Sequence, residues 1–222
     1  QLWNIIMQLA KAKDNEGKDP VIELALYQYG NDDLPVSKAY VQKLSNLTQE
    51  LDDISEKLFA LQTNGGEEYC GAVIKAAINE LEWSKNPDDL NIMYIAGNEP
   101  FNQGNVPYEK ICALAKQKNI VVNTIYCGEY NLGKNEYWKH GAELTGGMYM
   151  VINQNDEIVD IATPYDQKIA NLNVQLNSTY VSYGFKGREN KLKQEREDLN
   201  AQNYSDAKIA ERAISKSSKV YN

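Results

Sequence analysis

One histidine and three cysteines are all the imidazole and thiol metal ligands this chain has. His140, Cys70, Cys112 and Cys127 are scattered and form no paired C-x-x-C set, which speaks against a zinc site and a dense disulfide framework. Equally missing are the two common Gly-rich phosphate loops and the G-x-S-x-G elbow, so no nucleotide enzyme or serine hydrolase is signalled. No apolar run approaches the roughly 20 residues of a membrane helix. Proline is sparse, at 6 of 222 residues, which argues against collagen-like and mucin-like classes. Positive charge is also in deficit. With 23 basic against 31 acidic residues and a net charge of −8, long-range attraction to phosphate backbones or anionic lipid is disfavoured, and nucleic acid is not the expected partner.

What the chain does have is a globular balance, 42% hydrophobic and 24% charged, at a length that buries one good core with an appendage. Leu2, Ile5, Ile6 and Leu9 repeat at helical spacing from the first residues, so the chain is expected to begin inside a helix, with residues upstream of Gln1. Val21 to Tyr29 reads as a strand turned by Gly30-Asn31-Asp32-Asp33, and Val41 to Leu47 as a short edge strand. Leu51, Ile54, Leu58 and Leu61 mark one helix, and Val73, Ile74, Ala77 and Leu81 the next.

Leu90 to Ala96 and Ile120 to Tyr126 are nearly continuous apolar strands, as in sheets covered on both faces, with a helix over Tyr108 to Lys118 between them. A helix around Glu136 to Thr145, a strand from Met148 to Ile152 and a short strand at Ile158 to Ile161 follow. The stripe Tyr165, Ile169, Leu172, Leu176 and Tyr180 predicts a helix lying against the sheet. This alternation predicts an α/β fold, a three-layer Rossmann-like, mostly parallel sheet with helices on both faces, plus a C-terminal helical extension. The division falls at 183/184. Residues 184–222 are highly charged, and 188–214 should be helical with a thin apolar face, a docking or partner-binding arm.

Ligands of an open parallel sheet gather beyond the carboxyl ends of its strands. There the chain places Tyr29 to Asp33, Gly97-Asn98-Glu99-Pro100 and Cys127-Gly128-Glu129-Tyr130, with Thr63 to Glu68 on the same rim. Thr63, Glu67, Glu68, Asn98 and Glu99 could supply the oxygens that hard cations prefer. The competing reading is that these are ordinary polar connections, Glu67 favouring a helix start through the dipole. His140, in Tyr137-Trp138-Lys139-His140-Gly141, reads as an exposed or helix-end histidine. One disulfide with a free thiol, and three buried thiols, both remain open; Cys70 with Cys127 is the pair most easily joined, and such a bridge would favour an exported, periplasmic or cell-surface protein.

The element order and the stretches Thr63-Asn64-Gly65-Gly66-Glu67-Glu68-Tyr69-Cys70-Gly71 and Ile95-Ala96-Gly97-Asn98-Glu99-Pro100 resemble a von Willebrand factor type A (VWA) domain of divergent bacterial form, over about Gln1 to Tyr180. The resemblance implies residues 1–183 as a VWA-like domain lacking its first strand, which carries the family's D-x-S-x-S ligands. It implies a Mg²⁺ adhesion site at the rim, conditional on those upstream residues. Matching Gly65-Gly66 to the family's Gly-Gly-Thr puts Glu67 at the Thr position, with Thr63 beside it, and the T-D-G-x-P pattern falls on Ala96 to Pro100, leaving Asn98 or Glu99 in place of the Asp. The ligand set so implied is Thr63, Glu67, Asn98 and Glu99. The function implied is a protein-interaction or adhesion-type module with a degenerate divalent-metal site and a protein partner. The alternative is a metal-assisted hydrolase using the acidic rim.

Overall fold

The computed structural model describes residues 13, 17–62, 64–152 and 163–217. The helix read at Leu2 to Leu9, the strand read at Ile158 to Ile161 and the candidate ligand Thr63 lie outside the described residues. The chain divides into two compact units, one of Ala25–Leu47 and Leu61–Glu157, the other of Gln1–Leu24, Thr48–Ala60 and Ile158–Asn222.

The first unit carries the strands. In chain order these are β1 (Leu24–Tyr29), β2 (Val41–Thr48), β3 (Asn91–Gly97), β4 (Ile120–Tyr126) and β5 (Tyr149–Val151), with β2 ending at the unit boundary. The expected single, mostly parallel three-layer sheet is not what forms. β1 and β2 make a separate antiparallel pair, and β3, β4 and β5 a parallel three-stranded sheet in that order. Register runs from Asn91 opposite Ile120 to Gly97 opposite Tyr126, then from Thr124 opposite Tyr149 to Tyr126 opposite Val151.

Side chains take up backbone groups at the carboxyl end of β3. The Gly97 carbonyl accepts from the Cys127 amide at 2.8 Å on the β4 side, so by the alternation of a strand the Ala96 carbonyl faces the opposite edge. It is taken there by the Tyr29 hydroxyl at 2.6 Å. Just past the strand end, the amides of Asn98 and Glu99 go to Glu68. Where a neighbouring strand would pair with this end of β3, a phenol and a carboxylate satisfy the backbone instead.

Helices α2 (Cys70–Glu80), α3 (Tyr108–Gln117), α4 (Tyr130–Asn135) and α5 (Trp138–Glu143) complete the unit; α2 packs on α3, while α3 and α5 pack on β4. The spacing of Cys70, Val73, Ile74, Ala77 and Ile78 gives α2 one buried face. The core gathers these around Phe101, Tyr108, Cys112, Val122 and Trp138. The helix expected over 136–145 forms as α5; α4 precedes it as a separate short helix that Glu129 opens by accepting from the Leu132 amide, and Tyr137 divides the two with a left-handed φ of 70°.

The second unit is helical: α1 (Leu51–Phe59), α6 (Asp166–Thr179), α7 (Gly184–Tyr204) and α8 (Asp206–Lys216). The helix expected to lie on the sheet, α6, packs on α8 instead. Its stripe is correspondingly open, with Tyr165 and Leu172 largely exposed. Along α7 the expected apolar face is thin, Leu192 and Leu199 both exposed, and polar contacts anchor the helix. Lys193 reaches Asp53 at 3.2 Å, Arg196 pairs with Glu56, and Ser55 donates to the buried Glu197 carboxylate at 2.5 Å. At the next residue, Asp198 receives Lys216 Nζ at 2.7 Å, Arg212 Nε at 3.2 Å and the side-chain amides of Asn173 and Asn177 at 2.8 and 2.7 Å. No helix among the described residues is long and apolar enough to cross a membrane.

Burial alone would raise the Asp198 pKa, but its bonds from Lys216 and Asn177 outweigh this and hold it below the ordinary value of 3.8. Its stabilising contribution is therefore complete above that value and is lost as the pH falls through the lower folded value. Asp198→Ala leaves the buried Lys216 with only the neutral Asn177 Oδ1 and Arg212 with Asp52 as its carboxylate partner, and should cost about 3–5 kcal/mol in urea denaturation at neutral pH. The stability difference from the unmodified chain should shrink on acidification towards pH values below the ordinary aspartate range.

Candidate functional site

Beyond the carboxyl ends of β1 and β3, four short segments meet: the turn after Tyr29, the loop before α2, Gly97 to Gln103, and the start of α5. Gly30 has φ 75°, in the left-handed region open to glycine, and a Cβ there would sit 2.8 Å from the Glu68 side chain. The Asp32 amide donates to the Asn64 carbonyl at 2.9 Å, and Gln103 Nε2 to the Gly66 carbonyl at 2.9 Å, so the turn and the loops are stitched through backbone acceptors.

Glu68 is at the centre. Its Oε2 accepts from the Asn98 amide at 2.9 Å and from the Glu99 amide at 3.3 Å. It thus ties the loop before α2 to the loop after β3, as a cap satisfies the free amides of a turn. Gly97 makes this approach possible. A Cβ at that position would collide with the Glu68 carboxylate and lie 2.7 Å from the Tyr29 hydroxyl and 2.9 Å from the indole of Trp138. Trp138 completes the floor by donating Nε1–H to the Glu99 carbonyl at 2.8 Å.

The residues expected as ligands are distributed as follows. Asn98 and Glu99 come together, Asn98 Nδ2 donating to Glu99 Oε1 at 3.3 Å. Hydrogen bonding with Glu67 holds the Tyr69 phenol above its ordinary pKa. Among the described residues no group of three or more His, Cys, Asp or Glu side chains is arranged to hold a metal ion. The sequence pattern did not single out Tyr29 or Trp138, and it gave Glu68 no more weight than its neighbours. A glutamate one residue beyond Gly-Gly-Glu, facing a loop with two successive free amides, was the one available signal.

The nucleophiles near the rim are held protonated. All three cysteines are free thiols. Burial, reinforced by Glu68, pushes Cys127 up, and burial pushes Cys70 far above its ordinary value and Cys112 up to about 12. Burial likewise keeps the Tyr29 phenol protonated, with Cys70 and Glu68 adding to the effect, and this maintains it as the donor to Ala96. His140 is occupied elsewhere, its Nδ1 lying 2.8 Å from the Tyr108 hydroxyl. As the site stands, it can organise loops and present carboxylates and amides; it holds no thiolate primed for attack.

No family model matches the chain, and no curated protein matches it. Among solved structures it is similar to the VWA domain of SpRpn10, at TM-score 0.45 and 16% identity over 59% of this chain and 64% of that one. The chain thus spans less than two thirds of that structure's length. It is also similar to the conserved hypothetical protein BatB from Bacteroides thetaiotaomicron, at TM-score 0.44 and 14% identity over 68% and 78%. An aerotolerance-related membrane protein from Bacteroides fragilis gives TM-score 0.43 and 13% identity over 69% and 80%. These likenesses are distant and partial, and no residue role transfers from them.

Two outcomes test the site. Gly97→Ala should destabilise the fold by about 1–3 kcal/mol, since it displaces Glu68 and leaves the Asn98 and Glu99 amides unpaired, while Glu68→Gln, which keeps an acceptor oxygen, should cost less; chemical denaturation compares them. In native protein, alkylation should be confined to the half-buried Cys127 and should accelerate as the pH rises past the ordinary thiol value of 9.0. Mass spectrometry of the labelled chain reads the site and the rate.

Proposed function

We propose that the rim is a protein-binding surface built on a degenerate cation site, in which the Glu68 carboxylate bridges the two loops internally. The observation that carries this reading is the pair of bonds from the Asn98 and Glu99 amides to one carboxylate oxygen. A rim fixed in this way loses little entropy when a partner docks, which is the advantage of preorganisation. The exposed Asp32, Asp33 and Asn98 around it supply an acidic and amide-bearing contact surface. A partner that presents lysine or arginine fits that chemistry.

Among the described residues, the rim side chains form no group of three or more His, Cys, Asp or Glu that would cage Mg²⁺. Glu68 is engaged by amides, Asn98 and Glu99 are engaged with each other, and Glu67 faces Tyr69. We read cation binding at the rim as conditional on further oxygen ligands, in keeping with the hard-oxygen demand of the ion.

Proximity labelling in the native host, with the intact chain and its variants, tests the reading. The double substitution Asp32→Lys with Asp33→Lys should lose a specific neighbour that the control Glu82→Lys, on an exposed position away from the rim, retains. An unchanged set of neighbours would count against the rim as the contact surface. Mg²⁺-dependent turnover of a hydrolysable substrate that disappears in Glu68→Gln would replace the binding reading with a hydrolytic one.

A further inference from the structure

Asn64-Gly65 is the one Asn-Gly step in the sequence. It lies in the loop before α2, outside helix and strand, with both residues exposed. An asparagine is chemically labile where the backbone nitrogen of the following residue can reach its Cγ. Two things ordinarily prevent that approach: a Cβ on the following residue, which crowds it, and a hydrogen bond that fixes the following N–H.

Neither protection exists at this step. Position 65 has no Cβ and could not carry one, since Gly65 has φ 113° and a Cβ there would collide with Asp32 Oδ1 and lie 2.8 Å from the Gly30 carbonyl. The Gly65 N–H donates to no described residue, although the Asn64 carbonyl beside it accepts from the Asp32 amide at 2.9 Å. The Asn64 side chain is held by one long hydrogen bond, from Nδ2 to Asp33 Oδ2 at 3.3 Å. Asn177-Ser178 gives the contrast within the same chain. Asn177 Nδ2 donates to Asp198 at 2.7 Å, its Oδ1 accepts from Lys216 at 2.8 Å, and the Ser178 amide belongs to the ladder of α6.

We propose that Asn64 is a site of spontaneous deamidation, through which the chain alters its own rim. The Gly65 nitrogen forms a bond to Asn64 Cγ and gives up its proton to hydroxide; the Cγ–Nδ2 bond breaks, and ammonia leaves. The five-membered imide so formed takes up one water. Opening at Cγ yields aspartate in the ordinary chain, and opening at the backbone carbonyl carbon yields isoaspartate, whose chain runs through Cγ. The step consumes only water, and no enzyme or oxidant takes part.

Both products replace the Nδ2 donor with a carboxylate facing Asp33, so the rim gains a negative charge and loses one of the bonds that close it. Isoaspartate also lengthens the main chain by a carbon and shifts the carbonyl that holds the Asp32 amide. Charge and closure of the rim therefore change with the age of the molecule, whatever the rim binds.

Incubation of the intact chain in mildly alkaline water enriched in heavy oxygen, followed by peptide mapping, is the test. Electron-transfer fragmentation separates aspartate from isoaspartate. Asn64 should convert at least about tenfold faster than Asn177, at a rate proportional to hydroxide, and give both products with one heavy oxygen each. In urea the Asn64 rate should change by less than about threefold, because the native loop does not protect it, while Asn177 should accelerate as α6 unfolds. Asn64→Gln should stay unconverted, since its imide would need a six-membered ring. Exchange of the Asp32 amide hydrogen should be at least about tenfold faster in the isoaspartate fraction than in the unconverted chain. Conversion of Asn64 only in urea, aspartate as the sole product, or an Asp32 amide indifferent to conversion would each overturn the proposal.

Discussion

A wholly buried indole needs an acceptor for its N–H inside the protein, since water cannot supply one. Trp138 meets that demand at the Glu99 carbonyl, and the rest of the rim follows from it. The ring stands edge-on to Phe101, centroids 5.0 Å apart, and is tilted against Tyr126 at 5.7 Å, while the Trp138 carbonyl receives the Thr124 hydroxyl. One residue thereby joins α5 to β4 and to the loop after β3. Its far edge lies under Gly97, the one residue of β3 whose missing Cβ lets three side chains converge. A larger residue there would separate the indole from the carboxylate above it.

Glu68 works on the frame that Trp138 sets. Two successive amides after a strand end cannot both be satisfied by the neighbouring strand, so they require a concentrated acceptor, and a carboxylate oxygen is the strongest one a protein has. The same oxygens are what a divalent cation would take. An acid turned inward to hold a loop and an acid turned outward to bind metal make competing demands on one group. In this rim the inward role is the one the geometry realises. The acids that remain outward are the exposed Asp32 and Asp33, the latter accepting from Asn64 Nδ2 at 3.3 Å.

Local periodicity was legible in the residues, and long-range closure was not. The strand Ile120–Tyr126 and the helix over Tyr108 to Lys118 were readable to within a residue, because a strand covered on both faces and a one-sided helix each leave a distinct apolar rhythm. The separation of β1 from β3 had no such rhythm, and neither had the places where a tyrosine hydroxyl and a glutamate carboxylate come to rest in space. The stripe from Tyr165 to Tyr180 was read correctly as a helix and wrongly as a sheet-covering one. Periodicity reports that a face is apolar, but not what lies against it. Asn98 and Glu99 were legible as rim residues because they follow a strand, whereas the choice between Glu67 and Glu68 turned on side-chain direction, which adjacent positions in a Gly-rich loop do not reveal.

The helical unit shows how a chain with little apolar material can still specify its packing. On α7, Lys193, Arg196 and Glu197 face α1, while Gln194 and Asp198 face α6 and α8. Adjacent positions of one helix thus address different neighbours. Leucines would tolerate a sliding of the helix, because dispersion contacts are non-directional. Paired buried charges would not, since a shift by one turn leaves each of them unpaired in a low-dielectric setting. Desolvation makes such a cluster costly, and that same cost penalises every alternative register. The thin apolar face of α7 is therefore compatible with a defined position.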